Sequence, residues 1–352
     1  MARILLLVPL FYDVEKKIKS VLEKSGNEVI WINNKILPFD YRSTESKFKI
    51  IRRFYFFLLS PLKRYLKKEL RKIENLNFDL LFSINGHIIC GYLFKRLREN
   101  NPQLHSVLFI WDSFTKYSLV NEIKYFDRVY TFDHSDAEKY KIKYKPNFYI
   151  KYQSKKDVIP EHDLCFAGKF SPGRLSITKK IINQIEEAGV NYFIILWPAY
   201  KNILHNRLLN MLFKRINFNS EWNNQYLINY EANESLLDEK IIVRNCLSYE
   251  EVQSHSQNSN VILDLIFEKQ NGYTHRLIEA IANGKKVITT NQSIKNERYY
   301  NPSQIKVLDE KNQIIDCEWT KSKAKFPIDN YFKDLELSEW LGSILNMKVC
   351  KD

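Results

Sequence analysis

The chain has 352 residues, 45% of them hydrophobic, and 54 Lys and Arg against 41 Asp and Glu give it a formal net charge of +13. That length is too great for one ordinary domain and suits two, each with its own core. The basic excess implies attraction to something anionic, a nucleotide, a membrane surface or a nucleic acid, while five scattered cysteines with no CxxC pair exclude a disulfide framework or zinc knuckle and fit a reducing cytosol.

The N-terminal apolar run is short and lacks a small-residue cleavage site, so it reads as a buried strand over 3–8 and not as a signal peptide. A helix over 14–24, a stop at Gly26 and Asn27, and a strand over 28–32 complete a βαβ start, the mark of a parallel sheet. The sequence has no apolar run of about 18 residues, so no transmembrane helix is expected.

Residues 44–75 read as two helices, over 46–59 and 61–74, with Ser60 as N-cap and Pro61 at the first helical position. Ten Lys and Arg between Lys47 and Lys72 interleave with Phe54, Tyr55, Phe56, Phe57, Leu58 and Leu59. This pattern suits docking on anionic lipid headgroups. It equally suits an amphipathic pair packed on the sheet with a solvated basic face.

Strands are expected over 79–84, 106–111 and 128–132. They end in Asn85 and His87, in Asp112 and Ser113, and in Asp133 and His134. Open parallel sheets bind ligands outside the carboxyl ends of their strands, so these groups share one edge. Asp and Ser at such places also serve as helix caps, and Ser135 reads as one. Asp112 is the first candidate for a general base and His87 the second.

A linker is expected over 153–162, after which the pattern restarts. A strand over 163–167 leads into Gly168, Lys169 and the loop to Arg174, then a helix over 175–188. A glycine straight after a strand, followed by two cations before a helix, suits a phosphate; an ordinary loop with surface cations is the alternative. Further strands are expected over 192–197, 241–244, 261–265 and 305–308. Ser248 and Glu251 have capping-box spacing, and 329–347 reads as a C-terminal helix.

The run 271–291 joins a polar turn at Gly272, a short helix with Leu277, Ile278 and Ile281 on one side, a stop at Asn283 and Gly284, and a β-branched strand over 287–290. A helix N-terminus offers backbone N–H groups and partial positive charge to a phosphate. Gly272 lets backbone approach, Thr274 caps or donates, and Arg276 in the first turn adds a charged fork. Glu279, five residues past Thr274, lies roughly 7–8 Å along the axis from it, within reach of a ribose. The alternative is a surface pair between Arg276 and Glu279.

The nine glycines form neither GxGxxG nor GxxxxGK[ST], there is no GxSxG elbow, and the histidines show no HExxH. An Asp-x-Asp motif is also absent.

The chain resembles the GT-B glycosyltransferases, most of all the bacterial cell-surface polysaccharide and spore-maturation-protein-like members. The resemblance spans nearly the whole length. It rests on the first strand, on 109–113 with 127–133, on 163–169, and above all on 272–280 with 284–290. It implies an α/β fold of two Rossmann-like domains with parallel sheets facing across a cleft: 1–155 for the acceptor, 160–328 for a nucleotide-sugar donor, and a segment 329–352 crossing back to the first domain. By similarity Arg276 contacts the diphosphate and Glu279 the ribose. Gly168, Lys169 and the loop to Arg174 neutralise the leaving group, with Gly272, Tyr273 and Thr274 at the same turn. Asn245, Ser248 and Tyr249 lie near the base. Such enzymes stabilise the leaving nucleotide with cations and helix dipoles, so neither metal nor cofactor is expected. Many retaining members carry a second glutamate eight positions before this one; here that position is Asn271, which leaves the stereochemistry open.

The expected activity is sugar transfer from a nucleotide-diphosphate donor to a lipopolysaccharide, capsule or other cell-surface glycan, on a glycan or lipid-linked acceptor. Asp112 serves as base, and the location is cytoplasmic, peripheral at the inner face of the cell membrane through residues 47–72. The alternatives are a non-catalytic nucleotide- or nucleic-acid-binding protein and a sugar-nucleotide epimerase or phosphorylase on the same fold. No nucleic acid is expected as partner, since no RNP motif, zinc finger or clear helix-turn-helix is present.

Overall fold

The computed structural model describes residues 1–34, 68–69, 71–85, 91–114, 123–151, 160–197, 240–243, 247–266, 270–309, 311–323, 326 and 330–349. The candidates His87 and Asn245, residues 153–159 of the expected linker, most of the basic stretch 47–72 and the region 200–235 lie outside them, and the last linker position, His162, already belongs to a strand.

The chain divides into two compact units. The first comprises Met1–Lys151, Lys269–Tyr273 and Asn330–Asp352; the second comprises Tyr152–Glu268 and Thr274–Asp329. Each holds a parallel sheet, an α/β arrangement of Rossmann-like character.

In the first unit the strands are β1 (Arg3–Leu7), β2 (Glu28–Ile32), β3 (Leu80–Ile84), β4 (His105–Ile110), β5 (Arg128–Thr131) and β6 (Lys143–Tyr144), in the order β2-β1-β3-β4-β5-β6. All neighbours run parallel. The interior strands read as unbroken apolar runs because both faces are covered: Ile4 to Leu7 and Leu80 to Ile84 are all buried. Helices α1 (Val14–Lys24), α2 (Gly91–Asn100) and α3 (His134–Tyr140) belong to this unit. Helix α1 buries Val14, Ile18, Val21 and Leu22, the i, i+4, i+7, i+8 stripe of an amphipathic helix.

In the second unit β7 (His162–Lys169), β8 (Tyr192–Trp197), β9 (Ser259–Asp264), β10 (Lys286–Thr289) and β11 (Ile305–Val307) take the order β11-β10-β9-β7-β8, again all parallel. Among the described residues its helices are α4 (Pro172–Glu187), α5 (Tyr249–Gln257), α6 (His275–Ala282) and α7 (Cys317–Lys321). The strand expected over 241–244 shows as a single parallel bridge from Ile242 to Leu196. Counted from its own first strand, each sheet begins 2-1-3-4-5. Both therefore contain a topological switch point, between β1 and β3 and between β7 and β9.

The C-terminal segment differs from the expected single helix. A 3-10 turn over Asn330–Leu335 is followed by α8 (Leu337–Leu345). Between them Glu336 is extended and pairs with Tyr149: Tyr149 N donates to Leu335 O, and Leu337 N to Tyr149 O. Backbone pairing with the first unit thus breaks the helix. Trp340 of α8 is fully buried against Phe109 and Phe148, at ring distances of 4.6 and 4.7 Å, and donates its indole N–H to Pro146 O. Burial of a side chain that size stabilises by about 3 kcal/mol. Among the described residues, no helix is long and apolar enough to cross a membrane.

Candidate functional site

The switch point of the second sheet brings together the carboxyl ends of β7 and β9 and the start of α6. Thr274 caps α6: its hydroxyl oxygen accepts from Leu277 N and its proton goes to the Asp264 carboxylate at 2.9 Å. Asp264 is buried, and its other oxygen accepts from Thr289 Oγ1 at 2.9 Å. Leu277, Ile278 and Ile281 anchor α6 to the core, and Gly284 at φ 68° supplies the left-handed stop.

Arg276, in the first turn of α6, is oriented from three sides. Its Nη2 donates to Ala167 O at 2.8 Å, its Nη1 lies 3.8 Å from the Asp264 carboxylate, and its guanidinium sits 4.7 Å above the Phe166 ring. The side chain keeps 28% exposure, so one face of a preorganised cation meets solvent. Gly168 makes room for it. A Cβ there would stand 2.8 Å from the Phe166 ring and 3.4 Å from Arg276 Nη2.

Arg174 is placed at the same edge but used differently. It is buried, and its Nε and Nη2 donate to Leu265 O while Nη1 donates to Lys169 O. It ties the ends of β7 and β9 together. Burial, with Arg276 beside it, pulls its pKa down to about 9. Its three hydrogen bonds to Leu265 O and Lys169 O thus all serve strand-end carbonyls. Lys169 projects its exposed side chain from the end of β7.

Glu279 lies one turn beyond Arg276. Its two oxygens accept from Tyr249 OH at 2.5 Å and Gln253 Nε2 at 2.8 Å, which joins α6 to α5. Burial raises its pKa to about 6, against the pull of those two hydrogen bonds and of Arg276. Tyr249 is thus brought to Glu279. Ser248 closes the capping box of α5 with Glu251.

Gly272 and Tyr273, read as parts of the same turn, belong instead to the first unit. Asn271 N donates to the Asp133 carboxylate, and Asn147 Nδ2 donates to Tyr273 O. A Cβ on Gly272, at φ 102°, would stand 2.0 Å from Phe132 O. The glycine admits the protein's own backbone. Tyr273 is fully buried.

In the first unit Asp112 follows β4 as expected, partly buried. Asn85, left-handed at φ 60° and fully buried, donates from Nδ2 to Asp112 at 2.7 Å while its Oδ1 accepts from Trp111 N. The carboxylate is held in one direction at the edge of the sheet.

Three residues were not singled out from sequence: Asp264, Gln253 and Asn147. Asp264 had a usable signal. It ends the apolar run Val261, Ile262, Leu263 just as Asp112 ends its own.

No protein-family model matches the chain, and no curated protein sequence matches it. Among solved structures it is similar to the apo-structure of D-lactate dehydrogenase from Escherichia coli, at 10% identity over 91% of this chain and 94% of that one, with a TM-score of 0.22. A likeness that weak carries no argument about fold or function.

Proposed function

We propose that the protein is a glycosyltransferase of GT-B type that takes a nucleotide-diphosphate sugar at the second unit's switch point. The observation that carries this reading is Arg276, a partly exposed guanidinium fixed at the N-terminus of α6 by Ala167 O, Asp264 and Phe166. Backbone amides, helix dipole and a rigid fork in one place suit a diphosphate. Lys169 adds charge from the end of β7. In this reading an acceptor hydroxyl attacks the anomeric carbon, the bond from that carbon to the phosphate oxygen breaks, and the proton passes to a general base, the role expected of Asp112.

The test is calorimetric titration of the full chain with UDP, GDP, dTDP, CDP and CMP, repeated with Arg276→Ala. One nucleotide should bind, and the variant should lose it by tenfold or more, about 1.4 kcal/mol. Equal affinities in both proteins would remove the donor site from this edge. Product analysis with the matching nucleotide-sugar then separates transfer from epimerisation.

The basic stretch 47–72 extends the proposal to peripheral attachment at an anionic membrane surface on the cytoplasmic side. Failure to sediment with phosphatidylglycerol vesicles at low salt would end that part.

A further inference from the structure

The amino edge of the first sheet carries a groove that the proposed reaction leaves unused. It lies between the last turns of α2 and the residues leading into β5, and its volume is about 600 Å³. Arg98 fixes its place, reaching Leu104 O and Ser106 Oγ at the start of β4 and the Asp127 carboxylate just before β5. Asp112 follows the opposite end of β4, whose six residues span roughly 20 Å at about 3.3 Å each.

The floor of the groove is made of rings. Phe94 and Phe126 belong to the unit's core and meet edge to face at 5.2 Å. Tyr125 stacks on Phe94 at 5.7 Å and stays partly at the surface. The rim is charged, and much of that charge is already matched. Arg98 donates to Asp127 at 2.7 Å and to Ser106 Oγ at 3.2 Å, with its guanidinium 5.2 Å from the Phe94 ring centroid. The other Asp127 oxygen accepts from Ser106 N and Oγ at 2.8 and 2.7 Å. Lys95 and Glu99, one turn apart, pair loosely at 3.9 Å. Lys124 is exposed, with its ammonium 5.2 Å from the Tyr125 ring centroid and no carboxylate partner among the described residues. Three cations against two carboxylates leave the lining one positive charge in excess.

One positive charge beside a shelf of rings suits a monoanion with a flat apolar body. A further ring extends the aromatic cluster at edge-to-face or offset distance, and the stems of Lys95 and Lys124 offer methylenes beside it. A phosphate dianion suits the groove less well. The groove takes the carbonyl end of α2, which carries partial negative charge, and the fork of Arg98 is spent on Asp127 and Ser106.

We infer that this groove is a binding site for an aromatic carboxylate, whose ring packs on the exposed part of Tyr125 and whose carboxylate pairs with Lys124. The inference goes beyond the proposed function and does not depend on it.

Ligand-observed NMR on the full chain tests it, with benzoate, phenylacetate and indole-3-acetate as probes and benzyl alcohol, benzylamine and phenyl phosphate as comparisons. At least one carboxylate should bind saturably, with a Kd of about 1 mM or below, the range open to a ligand of so few atoms. It should bind more tightly than benzyl alcohol by about threefold to fivefold, the scale of one exposed ion pair. Lys124→Gln, at an exposed position, should erase that preference and leave benzyl alcohol where it was. Tyr125→Ala should weaken both ligands. Absence of saturable carboxylate binding, a preference for benzyl alcohol, benzylamine or phenyl phosphate, or an undiminished carboxylate preference in Lys124→Gln would overturn the inference. Carboxylate binding lost in Arg276→Ala would overturn it too, by placing the ligand at the donor site. Nucleotide binding without carboxylate binding sinks this proposal alone, and the reverse sinks the donor site alone.

Discussion

The backbone N–H of Asn271 donates to the Asp133 carboxylate at 2.9 Å, joining positions 138 apart in the chain. The other Asp133 oxygen caps α3 through Ser135 N and Asp136 N, so one buried carboxylate fixes a helix start and a distant strand of backbone together. Gly272 lies inside this contact. Gly272→Ala adds a Cβ against the Phe132 carbonyl and strains a φ of 102°. No rotamer relieves a backbone collision, and roughly 2–4 kcal/mol of destabilisation is expected. A drop in the urea midpoint checks it; an unchanged midpoint would mean the segment does not sit there in solution.

Glu279 makes stability depend on pH. Its pKa in the folded chain is raised from 4.5 to about 6, so between those values the native state holds more proton than the unfolded one. Stability is therefore highest below pH 4.5 as far as this group is concerned, and falls by about 1–2 kcal/mol as pH rises through 6. Glu279→Gln should flatten that slope in a denaturation series from pH 4.5 to 7. Tyr249→Phe removes a bond that favours the carboxylate and should move the slope to higher pH.

Arg174 and Arg276 are predicted to fail in different ways. Arg174→Met strips donors from Leu265 O and Lys169 O and should cost roughly 2–4 kcal/mol of stability. Thermal melting of the variant reads this directly.

Arg276→Lys keeps the charge but loses the planar fork and the stacking on Phe166. Its melting temperature should stay within a few degrees of the parent, for a change of about 1 kcal/mol. Nucleotide affinity should fall nearly as far as in Arg276→Ala. Retained affinity would show that a point charge suffices there.

Much of the fold was legible because strands buried on both faces write themselves as apolar runs. Val14 to Lys24, Glu28 to Ile32 and Tyr192 to Trp197 matched residue for residue. Capping signals were equally local: Thr274 and the Ser248–Glu251 box needed only their own neighbours. What sequence did not reveal depends on distant partners. Nothing beside Gly272 announces Phe132, and nothing beside Glu336 announces the Tyr149 backbone that interrupts the last helix. Nothing beside Lys286 announces that it is fully buried, with its ammonium on the carbonyls of Trp319, Thr320 and Ser322 at the end of α7. The neighbours of Arg174 and Tyr249 do not announce their partners either: their polar atoms serve Leu265 O and Glu279.

The first unit is assembled from three separated lengths of chain. A gene fragment ending at residue 151 would encode all six strands of its sheet and still lack Trp340, leaving Phe109 and Phe148 without their cover. It would also lack the 269–273 length that Asp133 holds. A single crossover between related genes therefore cannot exchange one unit whole. New pairings of the two must arise by replacing an internal stretch, with the C-terminal residues inherited alongside the N-terminal ones.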